Sequence, residues 1–176
     1  MPDRTRRCLE TLGGDRFPHV NGSLAEHLRG TEALLRRWGS RDALCAAGLF
    51  HAVYGTAGIR GSLVGLASRG TIDDLIGAEA EALAYLYGAC DRATFHPRIG
   101  TPAQLRFADR FTTSQYRIGE AQLRDFCELT LANELELAAS GAAFLARNRT
   151  ELCELFERMR GLVCEAGFDA YRATLC

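Results

Sequence analysis

The sequence predicts an all-α protein, a single helical bundle, on three observations. Apolar residues recur at intervals of three and four in the long segments, which is the period of an amphipathic helix. Ser or Thr precedes several of these segments, where either can cap a helix. No segment shows sustained period-two alternation with β-branched residues, so no sheet is predicted. With 176 residues the chain has the length of one domain, and residues 1–176 are assigned to it.

The predicted helices follow from start signals and apolar spacing. Ser23-Leu-Ala-Glu26 has the pattern of a capping box, in which Ser23 bonds the Glu26 amide and Glu26 reaches back. Ser40 is predicted to cap the second helix, and Thr101-Pro102 reads as a cap followed by a first-turn proline. In chain order the helices are predicted at about 23–38, 40–54, a short stretch from 71, 77–90, 101–111, 119–139, 150–165 and 169–174.

Composition and charge exclude several classes of partner. Hydrophobic residues make up 47% of the chain and charged residues 24%, as in ordinary globular proteins. The formal net charge of −1 argues against nucleic acid or an anionic membrane as the main partner. No apolar stretch approaches the roughly 20 residues of a membrane span, and none follows the basic start at 1–7 as in a signal peptide. The seven cysteines form no C-x-x-C pair, so we expect a reduced, cytoplasmic protein.

Two histidines stand where core leucines are expected. His27 lies on the apolar face of the first long helix, and His51 closes the next apolar helix. Imidazoles on the buried faces of consecutive helices can converge, and imidazole serves as a metal ligand or as a general acid and base. His27 and His51 are therefore candidate catalytic residues and candidate metal ligands.

Polar residues on the later long helix point to the same place. Thr130 and Asn133 interrupt its inward apolar stripe, and a buried polar group left unpaired is costly. A site shared with the two histidines would give each of them a partner. His19, in the segment before the first helix, is expected to reach this site from the loop side.

The glycine-rich loop at 55–61 is predicted to form the rim of the pocket. It leaves the second helix just after His51, and Tyr54, Thr56 and Arg60 are expected to face the pocket. An arginine there suits an anionic substrate, although holding a loop or a helix end is an equally common role. A P-loop is excluded because the G-K-[ST] ending and a preceding strand are missing. Tyr54 is a candidate catalytic residue; the candidate substrate-binding residues are His19, Thr56, Arg60 and Thr130.

Other polar groups are given structural roles. His96 stands in a Phe-His-Pro-Arg loop and is predicted at the surface, and Asp91-Arg92 is predicted to form a local ion pair. Glu134 lies nearer the buried stripe of its helix than Asp125, so it is the better alternative acid. A solvated helix face is predicted from the charge cluster Glu151, Glu154, Glu157, Arg158 and Arg160.

Taken together, these residues resemble the HD-domain superfamily of helical metal-dependent enzymes. That family has a histidine on one helix, a His-Asp pair at the end of the next, and a later helical aspartate. His27 and His51 match the two histidines, and Leu131-Ala-Asn133 matches the later position. The stretch His51-Ala-Val-Tyr-Gly-Thr56 is similar to a helical branch with an H-x-x-Y-G signature. The resemblance covers about 17–140 and implies an HD-like core there, followed by C-terminal helices at 150–174.

Two departures change what the resemblance implies. Ala52 and Asn133 stand where the family has its metal-binding aspartates, so the first coordination shell loses two negative charges. Neutral ligands alone cannot offset two divalent cations in a buried site, which argues against a dinuclear centre. Two kinds of active pocket remain open: a mononuclear site from His27 and His51 with His19, Asn133 or Glu134, or a metal-free pocket in which the histidines act as acid and base.

The expected function is therefore an HD-like enzyme acting on a small molecule. It is either a hydrolase or oxygenase dependent on one divalent ion (iron, manganese or zinc), or a metal-free lyase or cyclase that uses His27 and His51. The alternative is a non-catalytic ligand- or partner-binding protein on a degenerate HD-like fold, in which both histidines are satisfied by Asn133, Thr130 or a backbone carbonyl. Apolar area on the C-terminal helices is expected to support a homodimer.

Overall fold

The computed structural model describes residues 8–9, 11–19, 22–58, 61–101 and 106–176, and it confirms a mostly helical fold. For Arg16, Pro18 and His19 only the backbone is described. In these ranges the α-helices are α1 Leu24–Arg37, α2 Asp42–Phe50, α3 Arg69–Ile76, α4 Ala78–Ala89, α5 Arg92–Phe95, α6 Glu120–Ser140, α7 Ala142–Arg158 and α8 Glu165–Leu175. Single 3-10 turns cover Gly14–Arg16, Leu66–Ser68 and His96–Arg98.

The start of α1 is fixed by the capping box that the sequence predicts. The Ser23 hydroxyl accepts a hydrogen bond from the Glu26 amide at 3.2 Å, and the Glu26 carboxylate accepts from the Ser23 amide at 2.9 Å. A short antiparallel hairpin precedes the cap, with β1 Pro18–His19 paired to β2 Gly22–Ser23. This cap sets the rotation of α1, so that His27 and the leucines near it face inward.

Helix α6 is the central element of the bundle. It packs against α1, α2, α4, α7 and α8, and its residues from 126 to 135 are all buried. Helix α2 approaches α1 closely at Gly48, where an added Cβ would lie 2.5 Å from Leu35 Cδ1. The close approach of α2 to α1 and the contact of both with α6 bring three candidate site residues into one region of the core.

A second hairpin replaces the helix predicted at 101–111. β3 Arg106–Ala108 pairs antiparallel with β4 Gln115–Arg117, and residues 102–105 lie outside the described ranges. Phe107 is fully buried, and Asp109 closes the turn by accepting hydrogen bonds from the Phe111 and Thr112 amides at 2.8 and 3.1 Å. The prediction of no sheet was therefore wrong in detail, because strand pairing and the burial of Phe107 outweigh the local Thr-Pro signal.

Several predicted helix ends were also wrong. Arg41, not Ser40, is the N-cap of α2, and the Ser40 hydroxyl instead donates to Glu128 on α6 at 3.1 Å. Helix α3 begins two residues before Thr71. Helix α7 starts at Ala142 and not near 150, because Ala, Leu and Arg keep a half-exposed segment helical without a clear apolar period. The last helix likewise begins at Glu165 and not near 169.

Three further observations bear on the predicted partners and compartment. In the described part of the chain, no helix is both long and apolar enough to cross a membrane. All seven cysteines are free. The exposed large hydrophobic side chains in the described ranges are Leu66 and Tyr116, neither of them on α7 or α8. The apolar side chains of α7 and α8 that remain partly exposed include Phe144, Leu145 and Phe168.

Candidate functional site

The structure brings His27 and His51 together in the core. Their ring centres lie 5.2 Å apart with the ring planes at 85° to each other. His27 is 4% exposed and His51 is 1% exposed. His27 projects from the middle of α1 and His51 is the C-cap of α2, so the packing of α1 on α2 determines their separation.

Two residues of α6 hold the His27 ring. Its Nδ1 bonds the Glu136 carboxylate, and its Nε2 lies 3.0 Å from Asn133 Oδ1. An ionised carboxylate only accepts hydrogen bonds, so Nδ1 carries a hydrogen and donates to Glu136. Gly30, one turn after His27, leaves room for this contact, since a Cβ there would lie 2.7 Å from Glu136 Cγ.

Asn133 is oriented by a hydrogen-bonded chain that reaches α5. Its Nδ2 donates to Glu134 Oε1 at 2.9 Å, which turns its Oδ1 toward His27. The same Glu134 oxygen accepts a hydrogen bond from Arg92 at 3.2 Å. The Arg92 guanidinium also lies over the Tyr87 ring, 5.0 Å from its centre. The chain of contacts thus runs from Glu136 through His27, Asn133 and Glu134 to Arg92.

His51 is held by the backbone of its own helix. Its Nδ1 donates to the Gly48 carbonyl oxygen at 2.7 Å, which makes Nε2 the nitrogen with a lone pair in the neutral ring. Its ring packs edge-on against Tyr87, with ring centres 5.1 Å apart. Burial raises the pKa of Tyr87, so this phenol stays protonated beside the histidine.

Tyr54, the third candidate catalytic residue, belongs to a different cluster. Its hydroxyl donates to Glu81 at 2.8 Å, and Arg69 binds the same carboxylate through two nitrogens at 2.6 and 2.7 Å. Burial, and then the bond to Glu81, raise the pKa of Tyr54. The Arg69 guanidinium also stacks on Tyr85 at 3.9 Å. These contacts fasten α3 and the turn after α2 to α4, which is a structural role.

The candidate substrate-binding residues whose side chains are described, Thr130 and Thr56, are buried and so are poorly placed to contact a ligand. Thr130 is fully buried, and its hydroxyl donates to the Phe126 carbonyl one turn earlier at 2.7 Å. Thr56 is 4% exposed. The side chain of His19 and the whole of Arg60 lie outside the described residues, so their predicted roles are not addressed by the structure.

Three charged or polar residues are placed differently from their predictions. Arg92 pairs with Glu134 and not with Asp91, which instead caps α5 through the Thr94 amide and hydroxyl. His96 is not a surface residue, because its ring packs on Phe126 and its Nε2 is buried. Arg158 leaves the predicted solvated face, since its Nε is buried too. For Arg92 and His96, contacts with Glu134 and Phe126 on α6 decide these positions, and local sequence does not reveal them.

Sequence reasoning missed Glu136, although a signal was present. Glu136 follows Asn133 by three residues, so the two share one face of α6. Gly30 follows His27 by three residues on α1, which opens that face to a long side chain from α6. A carboxylate and a glycine at matching helical offsets from two candidate ligands indicate a supporting carboxylate.

Comparison with known proteins finds a partial match to one family and indicates no activity. Residues 8–92 match a family described as a domain of unknown function (DUF6817). The chain is similar to that domain over less than half of its length. The matched segment contains His27, His51 and Arg92 and ends before Asn133. No curated protein and no solved structure matches the chain.

Proposed function

We propose that the chain is an HD-like enzyme that acts on a small molecule and holds one divalent ion with His27, His51 and Asn133. The supporting observation is how the two rings are held. His27 Nδ1 donates to a carboxylate and His51 Nδ1 donates to a backbone carbonyl, which are the usual outer partners of metal-binding histidines. His51 Nε2 is then the atom that suits an ion. His27 Nε2 would become a ligand atom only by giving up the hydrogen that it donates to Asn133 Oδ1, after which both atoms would present lone pairs to the ion.

The charge of the surroundings supports a single ion. In the described ranges no three His, Cys, Asp or Glu side chains are grouped to hold a metal, and the proposal therefore depends on the Asn133 amide oxygen as the third donor beside the two imidazoles. These ligands are neutral, but Glu136 and Glu134 each bond one of them from behind. Arg92 balances Glu134, which leaves about one net negative charge beside the ligands. That suits one divalent ion and not two.

Such an ion supplies Lewis-acid chemistry toward water, dioxygen or a substrate oxygen, and the side chains hold and tune it. Glu136 fixes the orientation of the His27 ring and would make its Nε2 a stronger electron-pair donor to the ion. Glu134 fixes the Asn133 amide so that its oxygen, not its nitrogen, faces His27. The near-complete burial of both histidines would shield the ion from bulk solvent.

Metal content tests the proposal. Mass spectrometry on protein purified without chelator or affinity metal should find about one equivalent of iron, manganese or zinc, lost in His27→Ala and His51→Ala. Glu136→Gln should weaken the affinity by about 10–100-fold, because it removes the charged outer partner. The matched controls are His96→Ala and Glu120→Gln, the latter an exposed glutamate on the same helix. Folded wild-type protein that takes up no ion would overturn the proposal.

A non-catalytic ligand-binding protein is the second candidate, and one observation favours it. His27 Nε2 bonds Asn133, and His51 Nδ1 bonds a backbone carbonyl, so both rings are satisfied internally as that alternative requires. On this account His27→Ala and His51→Ala lower the free energy of unfolding, and neither wild type nor variant binds metal. The same metal measurement, paired with urea unfolding, therefore separates the two candidates.

We further propose that the protein acts in the cytoplasm, since all seven cysteines are free and a reducing compartment keeps them so. A small molecule is its proposed partner. The homodimer expected from the sequence stays a prediction, which size-exclusion chromatography with light scattering would test.

A further inference from the structure

A cleft opens beside Glu134 of α6, the residue whose carboxylate bonds Asn133. It lies between the segment Arg92–Arg98 and helix α7, and it has a volume of about 410 Å³. Arg92, His96 and Arg158 line it together with Glu134, and Phe144 and Leu155 supply apolar wall. A cleft of this size accommodates a small molecule.

Three nitrogens at this cleft are buried and have no hydrogen-bond partner among the described residues. They are Arg92 Nε, His96 Nε2 and Arg158 Nε. A guanidinium nitrogen can only donate, and leaving such a donor buried and unsatisfied costs free energy. The three side chains that carry these nitrogens all line the same cleft, so a hydrogen-bond acceptor that entered it would lie next to all three.

Two arginines and three glutamates line the cleft, and the arginines supply its positive charge. The Glu134 carboxylate already bonds Arg92 and Asn133, whereas Arg158 makes no ion pair with a described residue. Burial, and then the charges of Arg92 and Arg158, lower the pKa of His96 to about 4. The other carboxylates of the cleft, Glu151 and Glu154, are exposed to solvent, which screens their charges.

We propose that this cleft binds the oxyanion group of a small molecule, a carboxylate or a phosphate, through Arg92, Arg158 and His96. An oxyanion offers several acceptor lone pairs and a negative charge, which match two guanidinium groups and an imidazole nitrogen. The site goes beyond the proposed metal centre and does not require it. The two sites are nevertheless joined, because Glu134 bonds both Arg92 of the cleft and Asn133 of the histidine cluster.

Titration of the metal-free chain with two probes tests this site. Inorganic phosphate and succinate are added separately while calorimetry follows binding and NMR follows the ring signals of His96. At least one probe should bind saturably and shift the His96 signals. In Arg158→Gln the binding should weaken at least about tenfold, since one guanidinium is lost. Arg160→Gln is the matched control, because that arginine is exposed and pairs with Glu157 on the surface.

The same titrations show whether the oxyanion group of the ligand is a phosphate or a carboxylate. Saturable binding of phosphate alone indicates a phosphorylated ligand, and binding of succinate alone indicates a carboxylate. His96→Asn gives a second reading if Arg158→Gln does not fold, and it too should weaken binding. Binding that is absent for both probes, or equal in wild type, Arg158→Gln and His96→Asn, would overturn the inference. Neither cleft variant removes a proposed metal ligand, so this failure is distinguishable from failure of the metal centre.

Discussion

At the level of single residues, the carboxylates near the two histidines lie behind the proposed ligands and are not among them. The resemblance to the HD superfamily places aspartates where this chain has Ala52 and Asn133. Here Glu136 bonds the far side of the His27 ring, and Glu134 bonds the amide of Asn133. The negative charges of Glu136 and Glu134 therefore lie next to the proposed ligands, but neither glutamate is itself a proposed ligand. This arrangement explains how the proposed site can hold one ion with three neutral donors.

His96, which lines the cleft, gives the clearest prediction for the pH dependence of folding stability. Its folded-state pKa of about 4 lies below its ordinary value of 6.5, so the unfolded chain takes up the proton first as pH falls. The stability contributed by neutral His96 is complete above about pH 6.5 and declines until about pH 4, by about 1.4 kcal/mol for each pH unit within that window. Urea unfolding of wild type and His96→Gln should show a difference in free energy that shrinks across this window. A constant difference would contradict the account.

At the level of elements, the packing of α1 against α6 and α2 depends on glycines at the contacts as much as on hydrogen bonds between the helices. Gly30 on α1 admits the Glu136 side chain, which then reaches His27. Gly48 on α2 allows the close approach to α1 that brings His51 near His27. The positions of the two histidines thus depend on the lack of a side chain at Gly30 and Gly48, as well as on the hydrogen bonds to the rings.

Gly30→Ala should favour helix α1 and at the same time weaken metal binding at the histidine site. Alanine favours the helix by about 1 kcal/mol, but its Cβ would meet Glu136 Cγ at 2.7 Å and push the carboxylate off His27. Zinc affinity should fall by about 10–100-fold. Gly70→Ala on α3 is the matched control, since nothing lies within 4 Å of its added Cβ. That control should stabilise the protein and leave zinc affinity unchanged. Equal zinc affinity in Gly30→Ala and wild type would show that Glu136 does not support the site.

At the level of the whole molecule, the all-α fold class and the meeting of His27, His51 and Asn133 were predictable from the sequence. Helical periodicity and the Ser23 cap specify which faces of α1 and α6 are buried, and buried polar residues on such faces must find each other. The hairpin around Asp109 and the cleft at His96 were not predictable. Both depend on pairing or packing between segments distant along the chain, which local spacing does not encode.

The central claim is that one ion binds to His27, His51 and Asn133, and the ligand atoms themselves must be identified because seven free cysteines offer rival donors. X-ray absorption spectroscopy at the zinc edge of protein loaded with one equivalent makes that distinction. The account predicts a shell of nitrogen and oxygen with two imidazoles and no sulfur, lost in His27→Ala and His51→Ala. Sulfur ligands, or a spectrum that is unchanged in both variants, would contradict it.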